Sequence, residues 1–481
     1  MPEQIDTQNE QPIIKERPAL SRTLIINMIW SLGLSLFWVV FIWNFWDKGP
    51  YALGVNATVF FIALLAMFIR PLYYHRQYGK KDLYWIIPLG LIALSFLLYD
   101  NPFIKIVNVF VYPLLIFLFV NYGFLKDKEK RYWGTTFIAN FFSRFFSLFG
   151  QIGIALKYYI AMLSPKQRKG TARQVVLGLV LMLAIAFIVV IPLLSSADPV
   201  FGDKLAFVYD LVRRYISESA MAKIIFFLVF SPLLFSSFLA WAREFDYEDK
   251  EKGIQVDSIV AGIVLGGVLI LYLLFLWIQI KRLWVGSLPF EFRETETLVK
   301  SGFWQLFFLT GLNTLLYFFT YRKTSASVQK ILTVFTAASL LLLASAGQRV
   351  ALYVINYGFS YEKFFASYTV LYSAILFVWL LYSMFRKERA NIFKFLVFLF
   401  LWMYAIVTVL PVEQFIMRSN VALSKRSESR IRLYELTMLS PDVLDLVKRY
   451  RNEGLLKEDW QPWIDEQEKR LAEKRWYEYN F

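Results

Sequence analysis

Ile259–Ile280 reads IVAGIVLGGVLILYLLFLWIQI and carries no charge. A helix rises about 1.5 Å per residue and the hydrocarbon layer of a bilayer is about 30 Å thick, so roughly 20 apolar residues cross it. This stretch therefore reads as a membrane helix. Ten more stretches of the same kind fill the chain: Leu24–Phe45, Tyr51–Ile69, Leu83–Tyr99, Ile106–Phe124, Val175–Leu194, Ile224–Trp241, Phe303–Tyr321, Ile331–Ala346, Phe364–Phe385 and Ile392–Phe415. The expected fold is all-α, a polytopic transmembrane bundle of about eleven helices with a short soluble helical tail. Composition agrees, with 58% hydrophobic residues, 47 Phe and a mean hydropathy of +0.48. A water-soluble chain has too little interior to hide that many rings.

The same composition excludes several chemistries. There is no cysteine, so no disulfide, thiolate metal site or cysteine nucleophile. His75 is the single histidine, which rules out a multi-histidine metal or haem site. No metal and no cofactor is expected. Phosphate-binding GxxxxGK[ST], HExxH and GxSxG patterns are missing. The first apolar stretch is too long for a signal-peptide core and Asn44–Pro50 offers no small-residue cleavage site, so it reads as a retained helix.

Orientation follows from Lys and Arg in the short loops. With a cytoplasmic N-terminus, the cytoplasmic side holds 27 of the 52 basic residues, ten of them in Lys126–Arg173. The opposite loops hold 12, among them Lys48, Lys105, Arg349 and Lys363, and the last 13 lie after Phe415. Eleven crossings then put the C-terminal tail outside the cytoplasm. The expected location is a bacterial inner membrane. The net charge of +15 calls for anionic lipid headgroups and not for nucleic acid.

Three regions follow. Residues 1–20 form a polar, disordered cytoplasmic tail; 21–416 form the bundle; 417–481 form a soluble helical tail. Within 131–163, Asn140, Ser143, Arg144, Ser147 and Gln151 recur at helical spacing opposite Phe137, Phe141, Phe145, Phe149 and Ile152. That pattern suits a helix lying in the membrane surface or packed over the bundle's end. In the tail, Ser440-Pro441-Asp442 has the form of an N-cap with proline in the first turn, and Gln461–Tyr477 reads as a further helix. So few apolar residues hold little core of their own, so the tail is expected to dock on the bundle.

Polar residues within the apolar stretches are few: Asn56, Gln279, Gln305, Asn313, Gln348 and Arg349. Arg349, followed by Tyr353, Asn356 and Tyr357, suits a phosphate or carboxylate held by the guanidinium fork. It equally suits a snorkelling arginine or a structural ion pair. Asp198 before Pro199 reads as an N-cap or as an acidic group of a site. Glu296, with Glu291 and Glu294, completes the set of binding candidates Arg349, Tyr353, Tyr357, Asp198 and Glu296. No catalytic or metal-ligating set stands out.

Four stretches in order resemble a family. They are Leu193-Leu194-Ser195-Ser196-Ala197-Asp198-Pro199-Val200-Phe201, Ser301-Gly302-Phe303-Trp304-Gln305-Leu306, Arg349 with Tyr353–Ser360, and Tyr434–Asp442. Together they resemble the bacterial inner-membrane proteins grouped as domain of unknown function 4173, to which group 4153 is related. Where that family pattern has Thr and a following Arg, this chain has Ser360 and Lys363. The resemblance implies a membrane location and a many-helix topology, and no activity. Three functions remain open: transport or membrane-embedded binding of a small anionic or lipid-linked solute; a signalling or scaffold protein that meets a protein partner through its tail and surface helix; and a transferase acting on a lipid-linked substrate.

Overall fold

In a computed structural model the chain is helical throughout what is described, with no strand among the described residues. These are chiefly residues 21–74, 83–124, 135–163, 217–241, 257–283, 308–321, 323–386, 391–426, 429–456 and 460–480. Ten of the eleven apolar stretches lie largely within them; Val175–Leu194 lies outside. Nine described helices are long and apolar enough to cross a membrane, and Leu83–Leu98 and Phe308–Thr320 are shorter apolar helices. The protein is a multi-pass membrane protein. Contacts divide it into two units, residues 1–40 with 144–242 and residues 41–143 with 243–481.

In the first unit, α1 (Arg22–Phe37) starts where the Ser21 side chain accepts the Leu24 N–H at 3.3 Å. It runs beside α6 (Glu218–Trp241), Trp38 lying 5.5 Å from Phe230. Helix α5 (Thr135–Leu163) shares its first turns with the second unit and gives the rest to this one. Its Tyr159 hydroxyl lies 2.5 Å from the Ser31 hydroxyl and 3.3 Å from the Ser231 carbonyl. Arg144 donates to the last carbonyl of α6, Trp241 O, at 3.3 Å, where a helix end favours a cation. Arg144 thus faces protein, while Ser143, Phe142, Phe146 and Phe149 are exposed and Phe137 is buried. Phe137–Met162 also has the length and composition of a crossing helix.

In the second unit, α2 (Val55–Tyr74), α3 (Leu83–Leu98) and α4 (Pro102–Gly123) pack together, with Phe61 stacked on Phe96 at 4.9 Å. Helices α7 (Ser258–Leu283), α8 (Phe308–Thr320), α9 (Ala326–Tyr357) and α10 (Tyr361–Arg386) follow, then α11 (Ile392–Val409). The last apolar stretch is broken: α11 stops before Pro411, which has no N–H to continue the ladder, and α12 (Val412–Ser424) starts afresh. Two buried asparagines here are satisfied from neighbouring helices, and a third by nearby backbone. Asn108 donates to Ser95 at 2.8 Å and accepts from Tyr404 at 2.5 Å. Asn313 donates to Ser339 at 2.8 Å and accepts from Tyr272 at 2.9 Å. Asn56 is consumed by four backbone groups between Phe41 and Ala57.

The tail belongs to this unit. Helices α13 (Leu444–Asn452) and α14 (Gln461–Ala472) lie on the bundle end formed by residues 43–54, the α3–α4 turn, the α9–α10 turn and α12. Leu436, Val443, Val447, Trp460, Trp463 and Ile464 share one apolar cluster with Ile104, Val412 and Ile416. The last predicted helix ends early, at Ala472, because Lys474 turns inward and Tyr477 and Glu478 must reach the bundle.

Candidate functional site

Two places near this end carry chemistry. One is a groove of about 590 Å³ walled by α9, α10 and α12. Gly347, Val350, Val354 and Ile355 of α9 form one side, Val370 of α10 another and Leu423 of α12 a third; Ser367 and Ser419 supply its side-chain hydroxyls. Gly347 widens it, since a Cβ there would already stand 3.2 Å from Val370. The α9 and α10 walls lie in segments long and apolar enough to cross a membrane. Helix α12 follows α11 directly; Phe415 and Arg418 on it, and Lys425 and Arg426 just past its end, are exposed. A ring and several cations on the outer side of such a helix suit the level of lipid headgroups.

Arg349 is half-buried in α9, eight residues before its end, which is about 12 Å of helix. Tyr353 and Tyr357 continue its stripe, their rings 5.2 Å apart. Lys363 places its ammonium 4.5 Å from the Tyr353 ring and donates to Tyr357 O at 3.2 Å. Arg430 donates to the Tyr357 hydroxyl at 3.3 Å. The structure therefore gathers Tyr353 and Tyr357 with two cations, and Arg349 stands one turn away on the same face. At about 100° per residue, however, this stripe points away from the groove, whose α9 wall centres on Gly347, Ala351 and Val354. Asp198 and Glu296 lie outside the described residues, as do Gln305 and the side chain of Gln279.

The second place lies under the tail. Asp100 is 2% exposed and Lys105 1%, and their charged atoms are 2.7 Å apart. Lys474 closes on the other Asp100 oxygen, and Lys105 also donates to Leu53 O. Asn480 accepts from Lys474 at 3.0 Å and donates to Phe96 O and Tyr99 O at 2.5 and 2.9 Å. The Asp100 N–H donates to both oxygens of Asp442 at 2.8 Å. Glu413 of α12, 2% exposed, accepts the Ser440 N–H at 3.0 Å and the Ser440 hydroxyl through one oxygen. Burial first, then the nearby Asp442 carboxylate, pushes Glu413 up to about 8. Burial likewise lifts Asp442 to about 6, against the opposing pull of the Asp100 N–H.

Of these groups only Ser440 and Asp442 stood out in the sequence, and only as a helix start. Lys105 counted as a loop lysine, whereas it is in the first turn of α4, behind the Asn101 cap that accepts Ile104 N–H at 3.0 Å. The available signal was Asp100-Asn101-Pro102 with a lysine one turn on. Ser440-Pro441-Asp442 does open a helical segment, as its form implies, with Asp442 N–H donating to the Ser440 hydroxyl at 3.3 Å. What it also does is join the tail to α12 and to the α3–α4 turn.

A family model described as a domain of unknown function, DUF4153, matches residues 86–450, most of the chain. The chain belongs to the DUF4153 family. It is the group that the sequence resemblance gave as the relative of 4173. The DUF4153 match takes in Asp100, Lys105, Arg349, Glu413 and Asp442 and ends before Lys474. No curated protein and no solved structure matches the chain.

Proposed function

We propose that this DUF4153 protein is a membrane-embedded binder of an anionic, chain-bearing molecule, a lipid or lipid-linked solute. The observation that carries this reading is the groove of about 590 Å³, walled by carbon within membrane-crossing helices and bordered on α12 by exposed cations. Inside a bilayer the occupant at hand is an acyl or prenyl chain. Phe415 lies on the Ser419 stripe of α12, Arg418 beside it and Arg426 just past the helix end, so a phosphate leaving the groove meets guanidinium groups suited to bidentate contact. The location we assign is a bacterial inner membrane with the N-terminus cytoplasmic and the tail outside. The loop charge bias supports this, as does the docking of the tail beside Lys48 and Lys105, both on the low-charge side.

The test is lipid retention by the purified protein, read by native mass spectrometry. A phosphate-bearing lipid is expected to persist on the wild type and to be lost from Ala351→Trp/Ser419→Trp, which fills the groove, and from Arg418→Glu/Arg426→Glu. Equal retention by all three would reject the reading. A second reading, a scaffold that meets a protein partner through the tail, draws on Met438 and Trp476, 84% and 72% exposed. Capture of a defined partner lost in Met438→Asp/Trp476→Asp would favour it.

A further inference from the structure

The buried cluster under the tail has an odd charge. Three carboxyls, Asp100, Asp442 and Glu413, face two ammonium groups, Lys105 and Lys474. Both ammonium groups sit on Asp100. Asp442 is held by a backbone N–H, and Glu413 by Ser440 alone. The second Glu413 oxygen, Oε1, is buried with no hydrogen-bond partner among the described residues. It borders a void of about 10 Å³ walled also by Tyr99, Asn101, Gln414 and Asp442, space for about one water. A buried carboxylate without a cation is costly and ordinarily takes up a proton.

We propose that Glu413 is the proton-binding group of a latch: protonated, it lets the C-terminal segment seat on the bundle, and ionised, it loosens that seat. This goes beyond the lipid-binding reading and does not depend on it. The neutral acid balances the cluster, keeps its two contacts to Ser440, and turns its hydroxyl to a water in the void. The ionised group adds repulsion against Asp442, where the tail meets α12. Among the described residues, these are the charged groups around it. On α12 itself Arg418 is exposed. The α3–α4 turn brings Asp100, Lys105 and the Tyr99 phenol. The tail brings Asp442 and Lys474, and beyond them Arg470 over the Tyr51 ring at 5.1 Å and Glu478 paired with Lys48 at 3.5 Å.

The sign follows from linkage. Glu413 and Asp442 both hold protons more tightly in the seated state than in the free chain. Their contribution is fully present below the free-chain carboxyl range and is lost as pH rises through about 6 and then about 8. The aqueous phase bathing the tail is the one sensed.

The chain has no native cysteine, so spin labels go where they are wanted. Labels on Trp46→Cys and Trp476→Cys, at sites 59% and 72% exposed, report the seating of the tail on the full-length protein in nanodiscs. A narrow distance distribution is expected at pH 6 and a broad one at pH 9, with a midpoint near pH 8. Glu413→Gln should stay narrow at both. Asp442→Asn, which keeps an acceptor for Asp100 N–H and removes the repulsion, should shift the midpoint to lower pH. A distribution unchanged from pH 6 to 9, a broadening that survives in Glu413→Gln, or a midpoint unmoved in Asp442→Asn overturns the proposal. So does a transition set by Na⁺ at constant pH.

Discussion

Asn420 grips Phe359 by both of its backbone polar groups. The Phe359 N–H donates to Asn420 Oδ1 at 2.6 Å, and Asn420 Nδ2 donates to Phe359 O at 2.8 Å. Phe359 follows Gly358, which ends α9 in the left-handed region at φ +75°. A single side chain of α12 thus satisfies the backbone at the turn into α10, beside the groove and below the tail.

This clasp predicts two costs. Gly358→Ala forces a Cβ into the Asn420 amide and into a backbone region that L-residues avoid, for roughly 1–3 kcal/mol. Asn420→Ala leaves the part-buried Phe359 N–H and C=O unmet, for about 1 kcal/mol each. Asn420→Asp keeps the acceptor and should fall between wild type and Asn420→Ala. Melting curves in detergent measure all three, and an unchanged Asn420→Ala would show that the clasp contributes nothing.

Asp100, Lys105 and Lys474 form a buried ion cluster beside Asp442 and Glu413, so removing Lys105 leaves three carboxyls facing one ammonium. Lys105→Met should destabilise by about 3–5 kcal/mol. Lys448→Met, which breaks the exposed pair with Glu468 at 2.7 Å, should leave the melting temperature where it was. Equal shifts in the two variants would contradict the assigned difference in burial.

Gly54 is a docking point for the extreme C-terminus. Val55 N–H donates to Tyr479 O at 3.3 Å, and a Cβ on Gly54 would overlap the Tyr479 and Glu478 carbonyls. Gly54→Val should therefore lift the last residues and speed proteolytic trimming of the tail, while the bundle core stays resistant. Mass analysis of timed digests tests this; identical trimming in wild type and variant would refute it.

Topology is open to fusion reporters. Reporters after Gly170 and Arg389 should read cytoplasmic, and those after Arg214 and Glu453 extracytoplasmic. A cytoplasmic reading at Glu453 alone would change the helix count by one, and an external reading at Gly170 would reverse the whole orientation.

Membrane class and helix content were legible because crossing a bilayer needs about twenty apolar residues in a row, and that is a property of consecutive sequence. Ile259–Ile280 shows it without any partner. Local signals were legible for the same reason: Ser440-Pro441 does start a helical segment. The break at Pro411 was also written locally, yet the apolar run continuing past it masked the proline.

What a charge does at a helix end was not legible. Lys48, Lys105 and Lys363 look alike in the chain, each a lysine beside an apolar run. Folding leaves Lys48 partly exposed, buries Lys105 against Asp100, and lays Lys363 on the Tyr353 ring. The partners lie up to 430 residues apart, as for Lys48 and Glu478, and burial depends on which surface covers them. The sequence by itself determined a membrane-spanning, helical chain whose tail is too polar to fold alone. Only the tertiary structure decided that the tail closes over Glu413 and turns Arg349 away from the groove, because desolvation and helix facing are set by neighbours that no local pattern names.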